Sequence, residues 1–99
     1  MVIVRDVFQL KFGMARDAIA TMKEIAPVMK AATSTPMSVS VDLTGQAYRM
    51  VLETQYPNLA MYESEMAKGM SDPAWKSWYE KFKPLCESSY REMWKSVDL

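Results

Sequence analysis

The sequence predicts an α+β domain in the order strand, helix, strand, strand, helix, strand, a βαββαβ plait with one four-stranded antiparallel sheet and its helices on one face. Three observations carry this. In residues 37–44, Met37, Val39, Val41 and Leu43 alternate with Ser38, Ser40, Asp42 and Thr44, the period-two pattern of a half-buried strand. Earlier, Ala15, Ala18, Ile19, Met22, Ile25, Ala26 and Met29 recur at spacings of three and four, the stripe of a helix with one buried face. Gly13, Pro36, Thr44-Gly45-Gln46 and Pro57-Asn58 punctuate the chain where these patterns change.

The first strand is read over residues 2–12, rich in Val, Ile and Phe but interrupted by Arg5-Asp6, and ended by Gly13. A helix follows over residues 14–32. Pro27 has no N–H to donate, so a kink or an end is expected between Ala26 and Ala32, before a loop at residues 33–36. Residues 37–44 and 47–56 form a hairpin about Thr44-Gly45-Gln46. The returning strand shows Ala47, Arg49, Val51 and Glu53 on one side and Tyr48, Met50, Leu52, Thr54 and Tyr56 on the other, the second set being the core face. Asn58 is an N-cap for a helix over residues 59–68, because its side chain accepts from free amides of the first turn. Gly69 and Asp72-Pro73 break that helix, and Asp72 caps a new one with Pro73 at its first position. Trp75, Trp78, Tyr79, Phe82, Leu85 and Cys86 form its aromatic stripe. The last strand is read over residues 88–99, with Tyr90, Glu92, Trp94 and Ser96 on one side and Arg91, Met93, Lys95 and Val97 on the other. Which side meets the helices is left open by these two mixed sets.

Ninety-nine residues suit a single domain, residues 1–99. A hydrophobic content of 49%, with three Trp, five Tyr, three Phe and ten Met, is generous for one small core. A subunit interface is an outlet for the excess, since aromatics and Met are enriched there. Twelve basic and twelve acidic residues leave no basic footprint for nucleic acid. No apolar run reaches the length of a membrane span, and Arg5-Asp6 comes too early for a signal peptide. The lone Cys86 forms no internal disulfide, which suits a reducing compartment, so a cytoplasmic protein is expected. There is no histidine. That excludes Ser-His and Cys-His nucleophilic pairs, the commonest zinc ligand and a histidine-ligated haem. Neither a metal nor a bound cofactor is expected.

Phe8-Gln9-Leu10-Lys11-Phe12-Gly13 leading into a helix, then Tyr56-Pro57-Asn58-Leu59-Ala60-Met61-Tyr62-Glu63, then Asp72-Pro73-Ala74-Trp75-Lys76-Ser77-Trp78, resemble the dimeric α/β barrel superfamily of ferredoxin-like plaits. Within it the chain is similar to NIPSNAP-like and antibiotic-biosynthesis-monooxygenase-like small domains. The likeness spans nearly the whole chain but lies in order and spacing. It implies a homodimer with the two sheets face to face and a pocket in each subunit between sheet and helices. It also implies a choice among cofactor-free oxygenases, isomerases and members without known activity; the haem-binding branch relies on a histidine that this chain lacks.

Six residues are candidates for a site: Arg5, Asp6, Tyr48, Arg49, Tyr90 and Trp94. Arg5 and Asp6 read either as a charged pair at a pocket mouth or as a solvent-facing or interface ion pair of small energetic weight. Arg49 shares a strand face with Glu53; it either holds a ligand carboxylate in a bidentate contact or forms a salt bridge. Tyr48, Tyr56, Tyr90 and Trp94 line either an aromatic pocket or a core or interface. Asn58 reads as a cap before it reads as a catalyst, and Cys86 as a small buried hydrophobe. Three functions follow: a cofactor-free oxygenase or isomerase on an aromatic or polyketide-like compound, a non-catalytic binder of a small hydrophobic or aromatic ligand, and a structural dimerisation module.

Overall fold

The computed structural model describes residues 1–32 and 35–99. Its elements are β1 (Val2–Leu10), α1 (Ala15–Ala32), β2 (Met37–Val41), β3 (Arg49–Tyr56), α2 (Leu59–Ser71), α3 (Pro73–Phe82) and β4 (Cys86–Lys95). The strands form one antiparallel sheet in the order β2-β3-β1-β4. This is the βαββαβ, ferredoxin-like plait that the pattern of the sequence predicts. The molecule measures 38 × 36 × 19 Å, and the short dimension is that of one sheet and one layer of helices.

Register decides which side chains meet the helices. Val4 pairs with Thr54, Asp6 with Leu52 and Phe8 with Met50 across β1 and β3, while Asp6 pairs with Arg91 and Phe8 with Ser89 across β1 and β4. Directly paired residues lie on the same side of a sheet. The helix-covered face therefore carries Val4, Asp6, Phe8 and Leu10 beside Met50, Leu52, Thr54 and Tyr56. On the open face, Arg5 pairs with both Glu53 and Glu92, Val7 with Val51 and Tyr90, and Ile3 with Trp94. The last strand thus turns Arg91 and Met93 toward the helices and Tyr90, Glu92 and Trp94 away.

The core gathers Leu10, Ala18, Met22, Ile25, Met50, Trp78 and Phe82. Trp78 stacks on Phe82 with ring centres 4.9 Å apart, and Phe8 meets Phe82 edge-on at 4.9 Å. Pairs of this kind add about 0.5–1.5 kcal/mol beyond the area they bury. Pro27 lies inside α1 without ending it. It is exposed, while Ile25 is buried and Met29 half-buried to either side, so packing holds the helix through the missing hydrogen bond.

The helix boundary at Asp72 is as expected, with its carboxylate accepting from the Ala74 amide at 2.9 Å and Pro73 at the first position. Gly69, expected to break α2, lies inside it. Both hairpin strands are shorter than the alternation suggests, β2 stopping at Val41 and β3 starting at Arg49. Gly45 and Tyr48 between them take positive φ, 85° and 58°, which removes these residues from the ladder. Cys86 is the first residue of β4 rather than part of the α3 stripe, and the partner of β1 skips Glu87 in a bulge between Gln9 and Leu10.

Candidate functional site

A cavity of about 540 Å³ lies between the sheet and the pair α2 and α3. This is within the range of small-molecule pockets. Its floor is Val4, Phe8 and Leu52; Trp75, Trp78 and Tyr79 come from α3 and Tyr62 and Met66 from α2. The wall is aromatic because Trp75, Trp78, Tyr79 and Phe82 of α3 all line it. Trp75 stacks on Tyr79 at 5.2 Å, and Tyr56 meets Tyr62 edge-on at 5.4 Å.

One end of this apolar cavity is polar. Arg91 Nε donates to Asp6 Oδ1 at 2.5 Å, and Arg91 Nη1 donates to the Tyr62 hydroxyl oxygen at 2.7 Å. The side chains of Asp6 and Arg91 are 20% and 43% exposed, so this is a partly desolvated pair and not a free surface one. Burial by itself would lower the Arg91 pKa; the hydrogen bond and charge of Asp6, joined by Tyr62, outweigh it and hold the guanidinium above its ordinary value. Arg91 is a fixed cation at every physiological pH. A guanidinium has five N–H donors, and two contacts leave others for a ligand. Tyr62 accepts from Arg91, so its own proton is free to be donated. Burial raises the pKa of Tyr56, which also lines the cavity, and its phenol stays protonated near neutrality. The Trp78 Nε1 donor is buried without a partner among the described residues.

The sequence candidates separate into three places. Arg5, Arg49 and Tyr90 line a shallow dish on the open face, together with Val7, Val51 and Glu53. Trp94 adjoins it, with the Arg5 guanidinium 5.8 Å from its ring centre. Asp6 is in the cavity on the other side of the sheet. Tyr48 is at the hairpin end, its ring 5.1 Å from that of Phe12. Arg5 and Asp6 are therefore not one pair: Arg5 Nε binds Glu53 at 2.7 Å and Asp6 binds Arg91. Arg49 does not bridge to Glu53; its Nε donates to the Gln46 carbonyl at 2.9 Å. Asn58 caps α2, accepting from the Met61 amide at 2.9 Å.

Arg91 and Tyr62 were not among the candidates. A signal for Arg91 existed in the parity of β1: Asp6 falls between Val4 and Phe8 on the core face, and a carboxylate there requires a basic partner. Tyr62 reads only as one apolar position of a helical stripe. Among the described residues no group of three or more His, Cys, Asp or Glu is arranged to hold a metal. Among the described residues no helix is long and apolar enough to cross a membrane.

Fold and cavity together define a small α+β plait with a pocket between sheet and helices. The chain belongs to the NIPSNAP family, whose model matches residues 6–98. Comparison with curated protein sequences gives no match. Among solved structures, an uncharacterised NIPSNAP domain protein from Burkholderia xenovorans superposes with a TM-score of 0.89 at 10% identity, covering 98% of this chain and 95% of that one. A NIPSNAP family protein of unknown function from Agrobacterium tumefaciens gives 0.90 at 18%, covering 98% and 88%. A candidate antibiotic biosynthesis monooxygenase from Deinococcus radiodurans gives 0.75 at 17%, covering 100% and 95%. At these identities the likeness is one of fold.

Proposed function

We propose that this domain takes a flat, largely apolar small molecule into the cavity between sheet and helices, and that an enol, phenol or carbonyl oxygen of that molecule is received by Arg91 and Tyr62. The observation that carries this is the Asp6–Arg91–Tyr62 group at one end of an otherwise aromatic pocket. An oxygen anion placed there meets a permanent cation and a phenol donor in a partly dry setting, where such contacts strengthen. Aromatic rings on the other walls suit an aromatic or polyketide-like compound. Asp6 disfavours a second full negative charge, so a neutral or weakly acidic oxygen fits better than a carboxylate.

The chemistry open to such a site is transfer of a carbon-bound proton beside a carbonyl, or of a phenol's own proton, to the Asp6 carboxylate, giving an enolate or phenolate that Arg91 and Tyr62 stabilise. An isomerase returns the proton to another carbon; in a cofactor-free oxygenase the anion is oxidised by dioxygen, a C–O bond forms to give a peroxide that takes up the proton, and the O–O bond breaks with loss of water to leave a new carbonyl. A thermal-shift screen of hydroxynaphthoquinones, anthrones and simple phenols, followed by mass spectrometry of the recovered ligand, tests the reading. Stabilisation of the protein by members of the set is expected. A gain of oxygen marks the oxygenase and a rearranged product of unchanged mass the isomerase. Ligand recovered unchanged marks the non-catalytic binder, and no stabilisation by any member contradicts the reading.

We also infer a homodimer through the open sheet face, which leaves Trp94 50% and Tyr90 57% exposed around the Arg5–Glu53 pair. A reducing, cytoplasmic setting fits the single free thiol of Cys86.

A further inference from the structure

The cavity that ends at Arg91 shares a wall with a neighbouring hollow. A second hollow of about 280 Å³ lies between α1, α2 and the start of α3. The two share Met29, Tyr56, Met66, Met70 and Trp75 as walls. Three of these five are methionines, unbranched side chains with three rotatable bonds that shift at small cost. A partition built from them opens more easily than one of β-branched residues. The second hollow has no polar end like that at Arg91. Its apolar lining includes Ile25 and Val28, and Val28 and Met70 remain 37% and 55% exposed around it. The charges on its rim, Glu65, Lys68 and Asp72, are of both signs and select neither anion nor cation. No residue of α2, the helix between the hollows and solvent, is buried.

We propose that the two hollows are one divided site and that the ligand is an amphiphile: a phenol- or enol-bearing ring in front of Arg91, carrying an unbranched alkyl chain that passes the methionines into the second hollow. The proposal rests on the reading of the Arg91 cavity given above and adds the class of its ligand. A compact ring alone leaves the methionine-lined hollow and the exposed apolar groups at its mouth without a role. A chain covers both.

Binding of 5-alkylresorcinols with methyl, propyl, pentyl and heptyl chains, followed by quenching of tryptophan fluorescence, tests it on the full chain. Each methylene moved from water to the second hollow strengthens binding by up to about fourfold. The plug variant is Gly69→Phe. Gly69 lines the second hollow, its φ is not positive, and a Cβ added there meets nothing within 4 Å. Gly69→Phe is expected to bind the methyl compound within about twofold of wild type and to lose the gain from longer chains. Val28→Phe, on the opposite wall, is the second plug should the first fail to fold by circular dichroism. A flat series in wild type, with the methyl compound bound, overturns the chain and leaves the Arg91 cavity standing. A series that stays steep in both plugged variants overturns the chain's path. Absence of binding by every member overturns the inference together with the reading beneath it.

Discussion

Arg91 Nε stands 2.5 Å from Asp6 Oδ1, directly across the ladder between β4 and β1, on the side of the sheet that the helices cover. Neither charge would be stable there alone. Removing one partner leaves the other partly desolvated, a cost larger than the gain the pair gives in water. Asp6→Asn is expected to lower stability by about 1 kcal/mol, discounted for the exposure of Arg91, in urea denaturation. Asp6→Asn with Arg91→Gln should recover part of that loss, and strictly additive losses in the double-mutant cycle would show that the pair has no coupling.

Tyr48 gives a second expectation. Its φ of 58° places a residue with a Cβ in the left-handed region, at a cost of about 1–2 kcal/mol that its packing against Phe12 offsets. Truncation to Ala removes the packing and keeps the strain; truncation to Gly removes both. Tyr48→Gly should therefore be more stable than Tyr48→Ala by about 1 kcal/mol, the reverse of the order inside a strand. Equal melting temperatures for the two variants would contradict the assigned backbone.

Sequence alone made the sheet legible and the site only in part. Alternation in β3 is regular because one face packs on helices and the other does not; β2 alternates too, although Val39 and Val41 stay 39% and 46% exposed. The ten residues of β4 carry charge on both faces and rings on one, so their parity is readable but their direction is not. That direction is what separates Arg91 from Tyr90 and Trp94. Arg5 and Asp6 are adjacent in sequence and so point to opposite faces, which pulls apart two candidates that sequence proximity suggests as a pair. Pro27 failed to end α1 because burial of Ile25 and partial burial of Met29 outweigh one lost hydrogen bond. The hairpin ends early because positive φ at Tyr48 carries no sequence signal in a tyrosine.

Cys86 should behave as an unreactive thiol. Partial burial raises its pKa above the ordinary 9.0, and the charge of Lys11 offsets this only in part. A folded-state pKa above the unfolded one favours folding with the proton on. That contribution is complete below the unfolded pKa and is lost as pH rises through the folded one. Alkylation by iodoacetamide should be slow at pH 7 and rise only above pH 9 in the native protein. Rapid alkylation at neutrality would contradict the burial of this side chain.

The open face yields an expectation about assembly. Val7 and Val51 form its apolar centre, beside Tyr90 and Trp94. Sedimentation of the wild type at micromolar concentration should give a dimer. Val51→Glu places a charge opposite Val7 and should give a monomer with unchanged circular dichroism. A wild-type monomer at that concentration would contradict the paired sheets.

The central claim is that the cavity between sheet and helices at Arg91, and not the open-face dish at Arg49, receives the ligand. Titration of anthrone against wild type, Arg91→Gln and Arg49→Gln tests this most directly, read by quenching of tryptophan fluorescence. The account predicts binding by wild type and Arg49→Gln with similar affinity, and a loss of at least about tenfold in Arg91→Gln, the scale of one charge-assisted hydrogen bond. Binding that survives Arg91→Gln and fails in Arg49→Gln would contradict it.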